Sequence, residues 1–226
     1  MPDIAYVLKE YTDEVNAAAG SFFTWKSIND LAARESKVLW ALNKSALTWN
    51  VVVYSLQVTF FIALGRIFDR DSRSLTIYTL LSECAANLQQ FTRGALEKRR
   101  VDEAHGQRPE YLDDYLKGVY EAKKADFDAL EQVAKAYTDA YRRVYEPIRH
   151  KVIAHKDLAI IGSKDALFAR TKIGEIQEML EFLHQTHRVI WELYHNGRLT
   201  ALADHQYAEG ERYKSDVEQL LRQHLS

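Results

Sequence analysis

Residues that break helices are rare in this chain, which has three Pro and nine Gly among 226 residues. Apolar residues recur at spacings of three and four along almost its whole length, which is the period of an amphipathic helix. A β sandwich or barrel needs turn residues between its strands, and too few are present. The sequence therefore predicts an all-α helical bundle of about seven or eight helices. The predicted helices span residues 3–19, 27–48, 49–69, 74–99, 110–146, 147–156, 170–197 and 211–224.

Composition places the chain among globular proteins. Hydrophobic residues make up 47% of it, which is enough for a sizeable core, and the net charge of −2 argues against a general coat for nucleic acid. A local basic site is still compatible with that charge. One cysteine excludes an internal disulfide framework, so we expect Cys84 to be a small core residue and the protein to be cytoplasmic. No linker-like stretch divides the chain, so we expect one domain over residues 1–226.

The most apolar segment, residues 46–64, approaches the length of a membrane span. Asn50, Ser55, Gln57 and Thr59 interrupt it, and no second such segment follows. Val53, Leu56, Phe60, Leu64 and Ile67 mark one helical face, while Val51, Val58 and Phe61 make other faces apolar too. A helix that is apolar on nearly all sides belongs at the centre of a bundle. We therefore expect a buried central helix and no membrane contact.

Histidines near the C-terminus invite a metal-site interpretation through two Glu-x-x-His pairs, Glu181/His184 and Glu192/His195. Di-iron bundles place such pairs on two different helices, whereas both pairs here share one predicted helix and lie about 16 Å apart. His187 falls on the apolar stripe of that helix, as a core histidine does. The sequence therefore predicts no metal ion and no cofactor.

The segment that follows Pro147 contains Arg149 and, six positions later, His155. A neutral imidazole can take the proton from a ribose 2′-hydroxyl, and a guanidinium can hold the phosphate that this hydroxyl attacks. Residues 139–157 carry five basic and three acidic side chains, so this stretch is net positive in a slightly acidic chain. The pattern therefore indicates a site for cleaving RNA without a metal, with a core-edge histidine and a surface arginine as the structural alternative.

Helix geometry sets a condition on this pair. Six residues turn an ideal α-helix by about 600°, so Arg149 and His155 would point about 120° apart. They converge if the helix ends near His155 or if a second chain completes a shared cleft. Tyr137, Tyr141 and Tyr145 form a stripe that leads into the motif, and aromatic residues are favoured at interface cores. We therefore expect a twofold homodimer with residues 137–157 close to its axis.

Two stretches carry a resemblance to a known family. Residues 149–157, RHKVIAHKD, resemble the Arg-x-Lys-x-x-Ala-His-x-Asp stretch of the AbiU-like abortive-infection branch of the HEPN superfamily. Residues 62–70, IALGRIFDR, followed by Ser74 and Leu75, are similar to an upstream stretch of the same branch. The order and separation of the two stretches also fit this branch.

The resemblance implies a HEPN-like bundle that forms homodimers with the two motifs facing each other. It also implies Arg149 and His155 as the catalytic pair, with His150 as the polar neighbour that shapes the site. Lys151 and Lys156 lie within the motif as candidate phosphate anchors or as ordinary solvated residues. In the upstream stretch, we expect Arg66 and Asp69 to form a structural salt-bridged corner rather than part of the site.

The sequence as a whole thus predicts a metal-independent endoribonuclease that acts on RNA, as a toxin or phage-defence effector. An antitoxin such as a nucleotidyltransferase would be a further partner. The alternative is a non-catalytic HEPN-like module that binds a partner protein or a nucleotide, because the superfamily includes members that do not cut RNA.

Overall fold

A computed structural model describes residues 3–71, 73–154 and 164–223. Within these ranges the chain forms eleven α-helices and no strand, so the predicted all-α class is confirmed and the helix number is somewhat higher than expected. The helices are α1 (Ile4–Arg34), α2 (Ser36–Lys44), α3 (Ala46–Ile67), α4 (Ile77–Ala86), α5 (Arg93–Glu103), α6 (Leu112–Leu116), α7 (Lys124–Val144), α8 (Glu146–Ile148), α9 (Lys164–Phe168), α10 (Ile173–Trp191) and α11 (Glu209–Gln223). Short 3-10 turns cover Leu88–Phe91 and Leu202–Asp204, and π-helical turns cover Arg149–Ala154 and Glu192–Asn196.

Local capping explains why two long predicted helices are divided. Between α4 and α5, the Thr92 side chain accepts a hydrogen bond from the backbone N–H of Ala95, which starts a new helix. Before α7, the Asp126 carboxylate accepts one from the backbone N–H of Lys123. The predicted helices 74–99 and 110–146 were therefore wrong as continuous elements, since apolar periodicity runs on through such breaks.

The first helix shows the opposite difference. The sequence predicts a gap between residues 19 and 27, yet α1 runs unbroken over Ile4–Arg34, and the break comes at Glu35. The apolar face of α1 continues through the expected gap, because Phe22, Phe23 and Ser27 are buried there. Tertiary packing of this face therefore keeps α1 continuous through the predicted gap.

The core is centred on α1, which packs against α3, α10 and α11. Phe22 on α1 and Phe60 on α3 are fully buried, with ring centroids 5.4 Å apart in an edge-to-face arrangement. Cys84 is also fully buried, which confirms it as a core residue, and burial raises the pKa of its thiol. This core holds the C-terminal half of α3 in place.

Helix α3 is buried over only part of its length. Phe60, Phe61, Ala63, Leu64, Gly65 and Ile67 are buried, and all of them lie in its C-terminal half. By length and composition alone α3 could cross a membrane, and only 22% of its most apolar stretch is buried within the chain. The expectation of a buried central helix was therefore wrong for the N-terminal half, because periodicity does not show whether an apolar face is covered.

His187 lies half-buried on α10, beside a small cleft that is also lined by Leu8, Thr12, Trp191 and His195. Burial lowers the pKa of His187 to about 4, and the nearby charges of His184 and Arg188 act in the same direction. The folded chain therefore holds this imidazole neutral at pH values where the unfolded chain, with an ordinary pKa of about 6.5, binds a proton.

This difference predicts a loss of stability in acid. The free energy of unfolding should be greatest above about pH 6.5 and fall as the pH decreases toward 4, by up to about 1.4 kcal/mol per pH unit from His187 alone. Urea denaturation across this range measures the slope. His187→Gln should make the slope shallower, whereas the exposed His105→Asn should not change it. An identical slope for both variants and the wild type would contradict this role of burial.

Candidate functional site

The site begins where α7 ends. Helix α7 stops at Val144, Pro147 occupies the first turn of the short α8, and the chain then enters the π-helical turn Arg149–Ala154. Proline has no backbone N–H, so it cannot continue the hydrogen-bond ladder of α7 but is well tolerated at a helix start. The predicted restart at Pro147 is confirmed.

The π-helical turn changes the geometry expected for the motif. Its hydrogen bonds join residues five positions apart, so the rotation of an ideal α-helix does not apply between Arg149 and Ala154. Such turns are rare and occur frequently at functional sites. His155 and Lys156 lie outside the described residues, so the predicted pairing of Arg149 with His155 stays a prediction.

The Arg149 side chain lies directly against Gly65 of α3. A Cβ atom at position 65 would overlap Cδ and Nη1 of Arg149 and would lie 2.9 Å from Cζ. Only a residue without a side chain therefore leaves room for the guanidinium here. The fold thus brings residue 65 of the upstream stretch against residue 149, the first residue of the motif stretch.

Arg149 also contacts its neighbour in the motif. Its Nη2 donates a hydrogen bond of 2.8 Å to Nε2 of His150. A guanidinium only donates, so this nitrogen of His150 accepts and carries no proton. Glu146 Oε1 lies 3.9 Å from the same nitrogen and offers a partner for a protonated imidazole. His150 thus orients the guanidinium only in its neutral form.

Two buried tyrosines, Tyr141 and Tyr145, precede Arg149 in the chain. Tyr141 is 2% exposed, and burial raises the pKa of its hydroxyl while the positive charge of Arg149 opposes part of this rise. The Tyr145 hydroxyl donates to the Lys172 carbonyl oxygen at 3.1 Å or to the Glu175 carboxylate at 3.0 Å. These bonds attach the end of α7 to the start of α10 and thereby fix the segment that leads into the motif.

The tyrosine stripe therefore packs inside the chain. Tyr141 and Tyr145 are buried, and Tyr137 stacks on Phe182 with ring centroids 4.4 Å apart. The reason that the sequence offered for a dimer interface at this stripe was thus wrong, since its aromatic rings are already used within the fold. The homodimer itself stays a prediction.

Charges around the motif are partly paired. Arg142 lies 3.7 Å from Glu146, and Asp139 lies 3.5 Å from Arg70 of the upstream stretch. Arg143 and Lys151 are exposed. The two acidic residues of the described motif region are therefore balanced by neighbouring arginines, and the exposed cations give this surface an excess of positive charge.

The upstream corner differs from the expected pairing of Arg66 with Asp69. Arg66 pairs with Glu14 of α1 at 3.2 Å, while Asp69 accepts hydrogen bonds from the backbone N–H groups of Arg70 and Asp71. Asp69 is a turn-forming residue, because a short carboxylate readily satisfies backbone donors after a helix end. The two residues therefore do not pair with each other, and the expected salt bridge between them was wrong.

A metal centre finds no support in the part of the chain that the structure describes. No group of three or more His, Cys, Asp or Glu side chains there could hold an ion. The rings of His184 and His187 are 6.4 Å apart, and burial lowers the pKa of both. Glu181 accepts a hydrogen bond from Gln185. His184 and His187 are partly buried on α10, whereas Glu181 is exposed.

The all-α bundle, with Arg149 at a turn after Pro147, agrees with the HEPN resemblance of the sequence. A family model described as AbiU2, of the HEPN class, matches residues 3–220. The chain therefore belongs to the AbiU2 family of HEPN domains, and the predicted family is confirmed. No curated protein and no solved structure matches it significantly.

Sequence reasoning missed the roles of Gly65 and Glu146. Gly65 stood within the upstream stretch, and a glycine inside a helix is costly enough to signal a close approach. That signal does not name the partner, which lies far away in sequence. Glu146 showed no signal beyond its position one helical turn before His150.

The contact between Gly65 and Arg149 predicts a coupling of free energies. Gly→Ala inside a helix normally stabilises by about 1 kcal/mol, but in the wild type the new Cβ would displace the Arg149 side chain. We expect Gly65→Ala to give no gain or a loss in the wild type and a gain of about 0.5–1 kcal/mol in an Arg149→Ala background. Urea denaturation of the four proteins measures the difference.

Gly94→Ala on α5 is the matched control, because a Cβ there would meet no atom within 4 Å. Gly94→Ala should change the free energy of unfolding by the same amount in the wild type and in the Arg149→Ala background. Equal effects of Gly65→Ala in both backgrounds would show that the two residues are not in contact.

Proposed function

We propose that this chain is a metal-independent endoribonuclease of the HEPN type, in which Arg149 and His155 form the catalytic pair. The observation that carries the proposal is the meeting of the two family stretches, in which Gly65 leaves room for Arg149 beside His150. The three atoms nearest to a Cβ at position 65 all belong to Arg149, so a side chain there would have to displace the guanidinium. The contacts with Gly65 and His150 hold the guanidinium of Arg149 in one position, in which it can bind a phosphate.

The chemistry follows from the two side-chain types. Neutral His155 takes the proton of a ribose 2′-hydroxyl, whose oxygen then attacks the adjacent phosphorus. The bond from phosphorus to the 5′-oxygen of the next nucleotide breaks, which leaves a 2′,3′-cyclic phosphate. The departing 5′-oxygen takes a proton from water and becomes a 5′-hydroxyl, and His155 returns its proton to the solvent. Arg149 binds the phosphate oxygens with two parallel N–H groups and stabilises the negative charge that grows on them.

His150 positions Arg149 in this scheme. Its Nε2 accepts from Nη2, which leaves the other N–H groups of the guanidinium for the phosphate. Protonation of His150 would remove this acceptor and place a second positive charge beside Arg149. Lys151, which is exposed on the same turn, and Lys156 are the proposed anchors for neighbouring phosphates of the RNA.

The proposed biological setting follows from the family. We further propose that this chain acts in the cytoplasm as a toxin or phage-defence effector, a proposal that its membership of the AbiU2 family supports. It would act as a homodimer whose two motifs share a cleft, and an antitoxin such as a nucleotidyltransferase would restrain it.

Substitutions of Arg149 separate this function from a structural role. Arg149→Ala should lower the rate of RNA cleavage by a factor on the order of 10²–10³, as the loss of one transition-state hydrogen-bond donor does elsewhere. Arg149→Lys keeps the charge but loses the fork of two donors, so it should restore little activity. Cleavage of a fluorescent RNA under single-turnover conditions measures these rates.

Arg143→Ala is the matched control, since it removes an exposed cation from the same basic region. It should keep most of the activity, and the melting temperature should show that Arg149→Ala is folded. A folded Arg149→Ala protein that cuts RNA at the full rate would contradict the proposal. A wild type that cuts no RNA but binds a protein or nucleotide would support the non-catalytic alternative.

A further inference from the structure

Two charged side chains lie next to one nitrogen of His150. Nη2 of Arg149 is 2.8 Å from Nε2 of His150, and Oε1 of Glu146 is 3.9 Å from the same Nε2. The contact with Arg149 needs a nitrogen without a proton, because a guanidinium has no acceptor. A hydrogen bond to Glu146 needs a protonated nitrogen, because an ionised carboxylate only accepts. The two contacts therefore exclude each other.

The arrangement in the structure is the one that neutral His150 adopts. A distance of 2.8 Å is that of a hydrogen bond, whereas 3.9 Å is too long for one. A ring movement of about 1 Å toward Glu146 would give the roughly 2.7–2.9 Å of a charge-assisted hydrogen bond. The side chain of His150 is half exposed, so space for this movement is available.

The carboxylate of Glu146 is already oriented by a second contact. Its other oxygen, Oε2, lies 3.7 Å from Nε of Arg142, four residues earlier on α7. Glu146 thus has one cationic residue four positions before it and His150 four positions after it, which are spacings at which side chains on a helical surface meet. Arg142 therefore helps to keep the carboxylate beside His150 in both protonation states of the imidazole.

The elements that pack against the turn supply no second anion. The turn Arg149–Ala154 packs against α8 and α3. Glu146 is the only charged residue of α8. Arg66 is the only charged residue of α3, and it pairs with Glu14 of α1. Of the carboxylates in the described residues, Glu146 is thus the one that lies within ion-pair distance of His150.

The neighbouring groups of α7 are neutral, cationic or paired. Burial raises the pKa of the hydroxyls of Tyr141 and Tyr145, so both stay uncharged. Asp139 pairs with Arg70 at 3.5 Å. The exposed cations are Arg143 of α7 and Lys151 of the turn. A protonated His150 therefore has one described acceptor of opposite charge, the carboxylate of Glu146.

We propose that Glu146 is a positioning residue that binds the protonated ring of His150 and thereby removes it from Arg149. This inference rests on the proposed ribonuclease function and adds acid regulation to the same site. Neutral His150 orients the guanidinium for a phosphate. When the ring is protonated, Nε2 donates to Glu146 and Arg149 loses its acceptor. Two positive charges then lie side by side in the turn.

Loss of RNA cleavage in acid should therefore involve two protons. One proton blocks the proposed base His155, which alone lowers the rate about tenfold per pH unit, and a second on His150 steepens the fall toward about a hundredfold. His150→Asn keeps an oxygen acceptor that does not titrate, so its rate should fall only about tenfold per unit. Single-turnover cleavage between about pH 5 and 8, where histidines titrate, measures both slopes.

A measurement without RNA tests Glu146 itself. The ring nitrogens of His150 are followed by NMR during a pH titration of the full chain and are assigned by their absence from His150→Asn. Glu146→Gln removes the charge, so His150 should gain its proton at a pH about 0.2–0.7 unit lower, as expected for the loss of an exposed ion pair. Glu131→Gln is the matched control, because Glu131 is a carboxylate of α7 that pairs with Lys135 at 3.7 Å. It should leave the titration unchanged.

An unchanged titration of His150 in folded Glu146→Gln protein would overturn the proposal. Equal slopes of cleavage against pH in the wild type and His150→Asn would also overturn it. If Glu146→Gln loses helix content, Glu146→Asp replaces it, because its shorter carboxylate lies farther from the ring and should shift the titration in the same direction. A shifted titration in a protein that cuts no RNA would count against the proposed function alone.

Discussion

The close approach of Arg149 to Gly65 is the contact on which the site depends. The guanidinium can occupy its place only because position 65 has no side chain, and position 65 is fixed because the C-terminal half of α3 is packed into the core. Phe60 and Leu64 on that half are almost completely buried. A helix that was free to rotate or slide would not hold Arg149 in one position. The packing of the α1–α3 core thus helps to fix the position of the Arg149 side chain.

The turn after Pro147 is the second feature that fixes the position of Arg149. Proline ends the hydrogen-bond ladder of α7, and the π-helical turn that follows presents Arg149 and His150 together. Tyr145 attaches the end of α7 to the start of α10 through the hydrogen bonds of its hydroxyl group. The sequence around the motif therefore combines a break, an unusual turn and a buried anchor, and each of them restricts where Arg149 can point.

Much of the fold could be predicted from the sequence, because helical periodicity and the scarcity of Pro and Gly leave few alternatives to an all-α bundle. The breaks before Arg93 and Lys124 could not, since they depend on caps rather than on the apolar pattern. Periodicity also identified α3 as apolar on several sides but could not tell a covered side from an exposed one. Arg149 and His150 were found from the motif, whereas the contact with Gly65 joins distant segments and has no local pattern.

The central claim is that Arg149 and His155 promote attack by a ribose 2′-hydroxyl without a metal ion. The most direct test is to identify, by mass spectrometry, the 3′ end of the upstream fragment after RNA is incubated with the protein in EDTA. We expect a 2′,3′-cyclic phosphate from the wild type and no such fragment from His155→Ala protein. A 3′-hydroxyl end, or cleavage that stops when EDTA is added, would contradict the account.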